Sequence, residues 1–243
     1  MPVTPTAAVV AELAPGGMLR AGINLSNFLL VTGRAANGDP QGVAPDMVGE
    51  IAVRLGVPLK LMPYQNPGKL ADAVAEWDVG LIGAEPARAE QIAFTAAYLE
   101  IESTYLVPPG SKICLMDEVD RKGVRIAVYR RSAYGLYLNR SIKNAELVNA
   151  EGLDASWELF VREKLDVLAG LRPRLVTDVE KLPGARVLDG CFTAVQQAVG
   201  TPKARIASAA FLAAFVEETK ASGLVARLIE RHGVRGVNVA PAA

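Results

Sequence analysis

Cysteine and histidine are nearly missing from this 243-residue chain, which carries two cysteines, Cys114 and Cys191, and one histidine, His232. Two thiols are too few for a disulfide framework or a zinc centre, and a single imidazole cannot build a histidine-based metal cluster. No metal and no cofactor are therefore expected. By residue type the cysteines read as two separate interior thiols, with one disulfide as the alternative in an exported protein. His232 lies between Arg231 and Gly233 near the end of the last amphipathic stretch, and reads as a helix C-terminal cation rather than a catalytic base. Lys plus Arg and Asp plus Glu number 26 each, so the net charge is zero. No run of basic residues follows a helix face, which excludes a nucleic-acid partner. The opening Met1-Pro2-Val3-Thr4-Pro5-Thr6 has neither a basic region nor an apolar core, so no secretory signal is expected within it; either one was removed or none existed. There is no glycine-rich phosphate loop, no Gly-x-Ser-x-Gly elbow and no repeated block of 20 to 50 residues.

What is present is an alternation of β-branched runs and helix-period segments almost from end to end, the pattern of an α/β fold with largely parallel sheets. The first strand is expected at 19–25 and a helix at 45–55, where Met47, Val48, Ile51, Ala52 and Leu55 share one face and Gly56 ends it. A strand at 59–64, a short helix marked by Leu70, Val74 and Trp77, and a buried strand at 78–82 complete a βαβαβ unit, followed by a turn at 83–86. Strand 104–107 precedes Pro108-Pro109-Gly110, a break suited to a connection between lobes. The rhythm then restarts: strand 125–128, a helix at 133–142 capped by Ser132, strand 146–149, a helix at 155–163 capped by Asp154, strand 166–170, helix 174–180 and strand 186–188. An extended run at 193–199 and helix from Ala204 onward close the pattern, and the tail after Gly236 is expected to be loose.

Three stretches carry a resemblance: Gly42-Val43-Ala44-Pro45-Asp46, residues 78–94, and residues 123–134. The middle one is the most specific: Asp78-Val79-Gly80-Leu81-Ile82-Gly83-Ala84-Glu85-Pro86-Ala87-Arg88, then Ile92-Ala93-Phe94-Thr95 and Tyr98. It resembles a segment of the periplasmic solute-binding proteins, family 3, of amino-acid-type ABC importers, in which a strand end, a turn and an arginine hold the ligand's carboxylate. The resemblance implies an α/β, type II periplasmic-binding-protein fold with two lobes, a hinge and an interlobe cleft. It places lobe 1, discontinuous, at 17–107 and 195–243 and lobe 2 at 108–194, with hinge strands near 105–107 and 193–197. It further implies a periplasmic monomer that serves an ABC permease. Physical logic agrees, because open α/β sheets bind ligands outside the carboxyl ends of their strands.

Arg88 is the first candidate contact, a guanidinium able to grip a carboxylate with two parallel bonds; the plainer alternative is a surface ion pair with Glu85 or Glu90. Backbone groups of Gly83 would stand in for the Ser or Thr that relatives binding free amino acids carry before the arginine, and Glu85 lies in the same turn. Asn24, Asn27 and Phe28 follow the first strand, where a ligand-facing loop is expected, although loop asparagines are more often turn formers. In the second half Arg131, Ser132 and Tyr134 open a helix after a strand, and Ser132 is either a ligand group or an ordinary cap. Glu102 and the pair Gln196 and Gln197 lie at edge positions, one glutamine facing the cleft and the other away. The strand ending in Leu171-Arg172 lacks the aspartate that relatives use for an α-ammonium group. With Arg88 and Arg131, Arg172 would favour an anionic solute such as an oxo acid or a dicarboxylate; its alternative is a solvated loop residue before Pro173.

The leading expectation is a non-enzymatic receptor for a small carboxylate-bearing solute, amino-acid-like, oxo acid or dicarboxylate. An enzyme of cyclohexadienyl-dehydratase type, with Glu85 or Glu102 as general acid, is the second reading. A cytoplasmic solute sensor or sequestering protein is the third, motivated by the N-terminus.

Overall fold

The computed structural model describes residues 2–243, and the α/β alternation runs through all of them. In chain order the elements are α1 (Ala7–Leu13), β1 (Leu19–Asn24), the short β2 (Gly33–Arg34) and β3 (Pro40–Gln41), α2 (Val43–Leu55), β4 (Leu59–Tyr64), α3 (Pro67–Asp72), β5 (Val79–Gly83) and the long β6 (Ile92–Val107). There follow a 3-10 turn at Met116–Glu118, β7 (Arg125–Tyr129), α4 (Ala133–Ser141), β8 (Glu146–Ala150), α5 (Leu153–Arg162), β9 (Val167–Leu171), α6 (Arg172–Val179), β10 (Arg186–Val187), β11 (Thr193–Pro202), α7 (Ile206–Ala221), α8 (Leu224–Arg231) and β12 (Asn238–Val239). The chain divides into two units: one holds everything up to Glu100 together with Gln196–Ala243, the other Ile101–Val195.

In the first unit the strands lie in the order β4-β1-β5-β11-β6, with β12 on the outer edge of β6. β1 runs parallel to β4 and β5, whereas β11 meets β5 antiparallel, Gln197 opposite Gly83. Trp77 fixes how a helix lies on this sheet. It is fully buried and donates its indole N–H to the Leu70 carbonyl at 3.0 Å. A Cβ on Gly22 or on Gly80 would come within 3.1 Å of its ring, so two adjacent strands leave out a side chain where the indole lies. The short helix therefore ends at Asp72, and Trp77, expected on its face, lies beyond it as the lid of the cluster formed with Leu70, Ile82 and Ile92.

Caps decide several helix limits. α2 begins at Val43, two residues earlier than its apolar stripe suggests, because Pro45 is tolerated in a first turn. Gly42, with φ +147°, leads into it where any Cβ would lie 2.3 Å from the Leu30 carbonyl oxygen. Gly56 closes it in the left-handed conformation. Asn66 caps α3, accepting from Lys69 N at 2.8 Å, with Pro67 next in line.

The second unit pairs β10 and β9 antiparallel on either side of β6, then β7 and β8 parallel beyond β9. Phe160, Leu165, Leu168 and Leu175 fill its core. Three expectations are corrected here. The cap of α5 is Gly152, not Asp154, which falls inside the first turn and pairs with Arg174 at 2.6 Å. α6 starts at Arg172 rather than Arg174, since Pro173 fits a second helical position. Cys114 and Cys191 are exposed free thiols, not interior ones. Both sit on connecting segments, where no core is available to take them.

Three further differences concern the first unit. β6 begins at Ile92, twelve residues ahead of the expected strand, because the segment is paired along its length. The tail is ordered: Asn238 and Val239 pair with Glu100 and Leu99, and Ala240 N donates to the Tyr98 carbonyl at 3.2 Å. α1, which periodicity did not single out, packs on α7, where Glu12 accepts from Ser208 N and Oγ at 2.8 and 2.7 Å.

Candidate functional site

The parallel strands β1, β4 and β5 of the first unit end at Asn24, Tyr64 and Gly83, and the candidate residues gather at these carboxyl ends. After Gly83 the chain makes a turn in which Arg88 N and Ala89 N both donate to the Glu85 carbonyl, at 2.9 and 3.0 Å. This turn folds Arg88 back on the strand end. Its Nη1 donates to the Gly83 carbonyl at 2.6 Å, and the residue is 6% exposed. The guanidinium is thus buried at the carboxyl end of a parallel strand. The Gly83 carbonyl already accepts from Arg88, so it serves to orient that side chain. Glu85 is half-buried in the same turn.

The loop after β1 divides the asparagines. Asn24 is a turn former, its Oδ1 accepting from Ser26 N at 3.1 Å and Ser26 Oγ at 2.9 Å. Asn27 is 7% exposed, and its Oδ1 is enclosed without a hydrogen-bond partner among the described residues. A buried acceptor in that state costs about 1–3 kcal/mol. Phe28 next to it stays 38% exposed. At the end of β4 the Tyr64 hydroxyl donates to Glu76 at 3.0 Å; burial and that bond push its pKa up to about 12, so it stays neutral. Gln197 is buried and Gln196 half-buried, with the Gln196 carbonyl accepting from Ala84 N at 2.7 Å.

In the second unit β7 ends at Tyr129 and leads into α4. Ser132 donates its hydroxyl to the Tyr129 carbonyl at 2.7 Å and accepts from Gly135 N at 2.9 Å, so this hydroxyl is engaged as a cap on both sides. Tyr134 is buried beneath it. Arg131 is exposed and held at φ +63°, a conformation that turns the chain sharply into the helix. Arg172 is not a loop residue: it is the first residue of α6, and its Nε pairs with Glu102 at 2.6 Å. Its other nitrogens donate to the Leu188 carbonyl at 3.4 Å and to the Gly190 carbonyl. Glu102 and Arg172 thus offset each other's charge, and the pair ties the start of α6 to β6 and the 188–190 stretch.

One feature of the first unit was not foreseen. The tail and the β6 edge form an open groove of about 360 Å³, lined by Ala84, Thr95, Glu100, Gln196 and Ala240–Ala243. The signal was in the chain: Val237-Asn238-Val239-Ala240 after Gly236 has the two-residue period of a strand. No group of three or more His, Cys, Asp or Glu side chains that could hold a metal occurs among the described residues, and no described helix is long and apolar enough to cross a membrane.

Comparison with solved structures finds this architecture in type II periplasmic binding proteins. A mutant of ArgBP from T. maritima shares 22% identity over 93% of this chain and 99% of its own, with a TM-score of 0.72. An amino acid ABC transporter substrate-binding protein from Streptococcus pneumoniae, bound to L-arginine, shares 18% over 92% and 97%, at 0.72. The ancestral amino acid-binding protein AncCDT-1, a precursor of cyclohexadienyl dehydratase, shares 19% over 91% and 98%, also at 0.72. No curated protein matches the chain. A family model does, over residues 24–235, and with the two units, the strand-end turn and Arg88 in place the chain belongs to the bacterial extracellular solute-binding proteins, family 3.

Proposed function

We propose that this protein is a receptor that captures a small carboxylate-bearing solute and delivers it to an ABC importer. The observation that carries the reading is Arg88, a buried guanidinium oriented by the Gly83 carbonyl at the carboxyl end of a parallel strand. A buried guanidinium binds a carboxylate through charge-assisted hydrogen bonds in a site already shielded from water. Asn27 and Phe28 supply an acceptor and an apolar wall on the neighbouring loop, and Arg131 is the proposed contact in the second unit. Glu102 and Arg172 contribute as a pair, with no net charge. Delivery to an importer, on the outer side of the membrane, is supported by the family's name and by relatives described as ABC transporter components. The solute is amino-acid-like, an oxo acid or a dicarboxylate, and β9 ending in Leu171 leaves an α-ammonium group without a carboxylate there.

A thermal-shift screen of amino acids, oxo acids and dicarboxylates tests this. A solute at one hundred times its Kd raises the unfolding free energy by about 2.7 kcal/mol, a visible shift. Arg88→Ala should then lose roughly 2 to 5 kcal/mol of binding with little change in fold. A silent screen, or unchanged affinity in Arg88→Ala, would refute the reading. The dehydratase alternative needs a free general acid, and Glu102 is engaged by Arg172. Turnover of prephenate or arogenate, lost in Glu85→Gln or Glu102→Gln, would nonetheless replace the receptor.

A further inference from the structure

The second unit carries a half-open groove of about 270 Å³ between the end of α5, Pro108-Pro109 and Leu182, and the anchoring just described uses none of it. That volume lies just under the range of small-molecule sites, about 300 to 1,000 Å³, and leaves room for one slender molecule. The way α5 ends builds the groove. It closes in a Schellman turn, in which Leu165 N donates to the Phe160 carbonyl at 3.0 Å and Lys164 N to the Val161 carbonyl at 3.4 Å. Such a turn brings its first and last side chains together, and Phe160 and Leu165, 2% and 1% exposed, form the floor. Val161 stands on the rim, 44% exposed. Pro109 is another wall, and Gly184 passes close to it: a Cβ there would lie 3.3 Å from the Pro109 Cβ. Every lining residue is a proline, leucine, valine or phenylalanine except Lys164. Lys164 occupies the turn position that needs a positive φ, +49° here, where glycine is the residue without a steric cost. No hydrogen bond or ion pair engages its ammonium among the described residues. Arg162 already supplies a cation in the last turn of α5, so the helix dipole does not account for a second one.

We infer that this groove is a second binding site, for the chain of a free medium-chain aliphatic monocarboxylate whose carboxylate pairs with Lys164. The lining offers no hydrogen-bonding side chain besides Lys164, which excludes sugars, amino acids and nucleotides, whose polar groups would be buried there without partners. An apolar wall with one cation at its edge complements an apolar tail with one anionic end. A lysine at +49° gives up stability that glycine would keep, and a bound carboxylate gives that charge a use. The site is independent of Arg88: the groove lies wholly in the second unit, and the buried guanidinium belongs to the first.

Trp157 serves as the local reporter, since its ring lies 6.0 Å, centroid to centroid, from that of Phe160 on the groove floor. Titration of the full chain with 8-bromooctanoate, whose bromine quenches indole fluorescence at contact, is expected to quench Trp157 and to leave the Trp77 emission of a Trp157→Phe variant unchanged. Calorimetry with butanoate, hexanoate and octanoate is expected to show affinity rising about two- to fourfold for each added methylene. Val161→Glu, at an exposed position, should fold normally and bind octanoate at least about tenfold more weakly. Lys164→Gln should remove the preference for octanoate over octanol; Lys164→Gly should do the same while raising the urea midpoint, because glycine adopts the turn freely. Arg88→Ala, which disables the proposed solute site, should leave quenching by bromooctanoate in place. Absence of Trp157 quenching, affinity independent of chain length, unchanged octanoate binding in Val161→Glu, an octanoate preference untouched by Lys164→Gln, or quenching lost in Arg88→Ala each overturns the inference and leaves the solute site at Arg88 to its own screen. Self-association that Val161→Glu abolishes, without octanoate binding, assigns the groove to a second copy of the chain and overturns it as well.

Discussion

Asp78 opens β5 with no exposed surface, and its carboxylate collects four donors: Arg20 N at 2.9 Å, Arg20 Nε at 3.0 Å, Arg20 Nη2 at 2.8 Å and Arg205 Nη1 at 2.7 Å. Asp78→Ala leaves two guanidinium groups and a backbone N–H facing a small void. Removing one partner of a buried ion pair costs about 3–5 kcal/mol. The Arg20 side chain is 36% exposed and can rehydrate, so the lower end applies, about 3 kcal/mol. For a chain of this size that corresponds to a Tm drop of roughly 6–12 °C. The two tryptophans allow a local test, because Trp77 lies in the first unit and Trp157 in the second. Urea unfolding followed by Trp77 fluorescence in a Trp157→Phe background should show the loss. The pH dependence adds a second check. Burial alone would raise the Asp78 pKa, but the bonds from Arg20 and Arg205 outweigh it and hold it below the usual carboxylate range. A depressed folded pKa means stability that is present above the unfolded value near about 4 and lost as pH falls through the folded value. The gap between the parent and Asp78→Ala should therefore be full at neutral pH and shrink below about pH 4. A loss under about 1 kcal/mol, or a gap that widens in acid, would refute the reasoning.

Other outcomes follow from single contacts. Gly80→Ala places a methyl 3.1 Å from the Trp77 ring and should cost about 1–3 kcal/mol by urea unfolding. Arg172→Ala removes a part-exposed ion pair with Glu102 and two carbonyl contacts; a loss of about 1 kcal/mol is expected with Trp157 as reporter. Both cysteines are exposed and free, so a thiol reagent should titrate two groups in the native protein without denaturant. Hydrogen exchange should show the Ala240 amide protected in the full chain, because it donates to Tyr98; an amide exchanging at a free-peptide rate would contradict the tail pairing.

Legibility differed from element to element for physical reasons. Ser132 was readable as a cap because a cap needs only its own three following residues, and it does accept from Gly135 N. Asp154 misled because a glycine two residues earlier also caps, and the acid finds Arg174, a partner twenty residues away. The full extent of β6 was hidden: its pairing partners are contributed by β11 and β9, nearly a hundred residues or dozens of residues distant. Arg88 stood out through its motif, but nothing in the motif says that its guanidinium would rest on the Gly83 carbonyl. Arg172 and Glu102 were read as separate charges, since a 70-residue separation conceals an ion pair.

The order of strands and helices, the α/β class and the strand-end turn carrying Arg88 follow from the sequence alone, because periodicity, capping chemistry and motif spacing act within a few residues. Which charges are spent on each other, which of the asparagines keeps an open acceptor, and the pairing of the last strand with β6 were settled only in three dimensions. Those depend on groups far apart along the chain, whose meeting is decided by packing rather than by any local pattern.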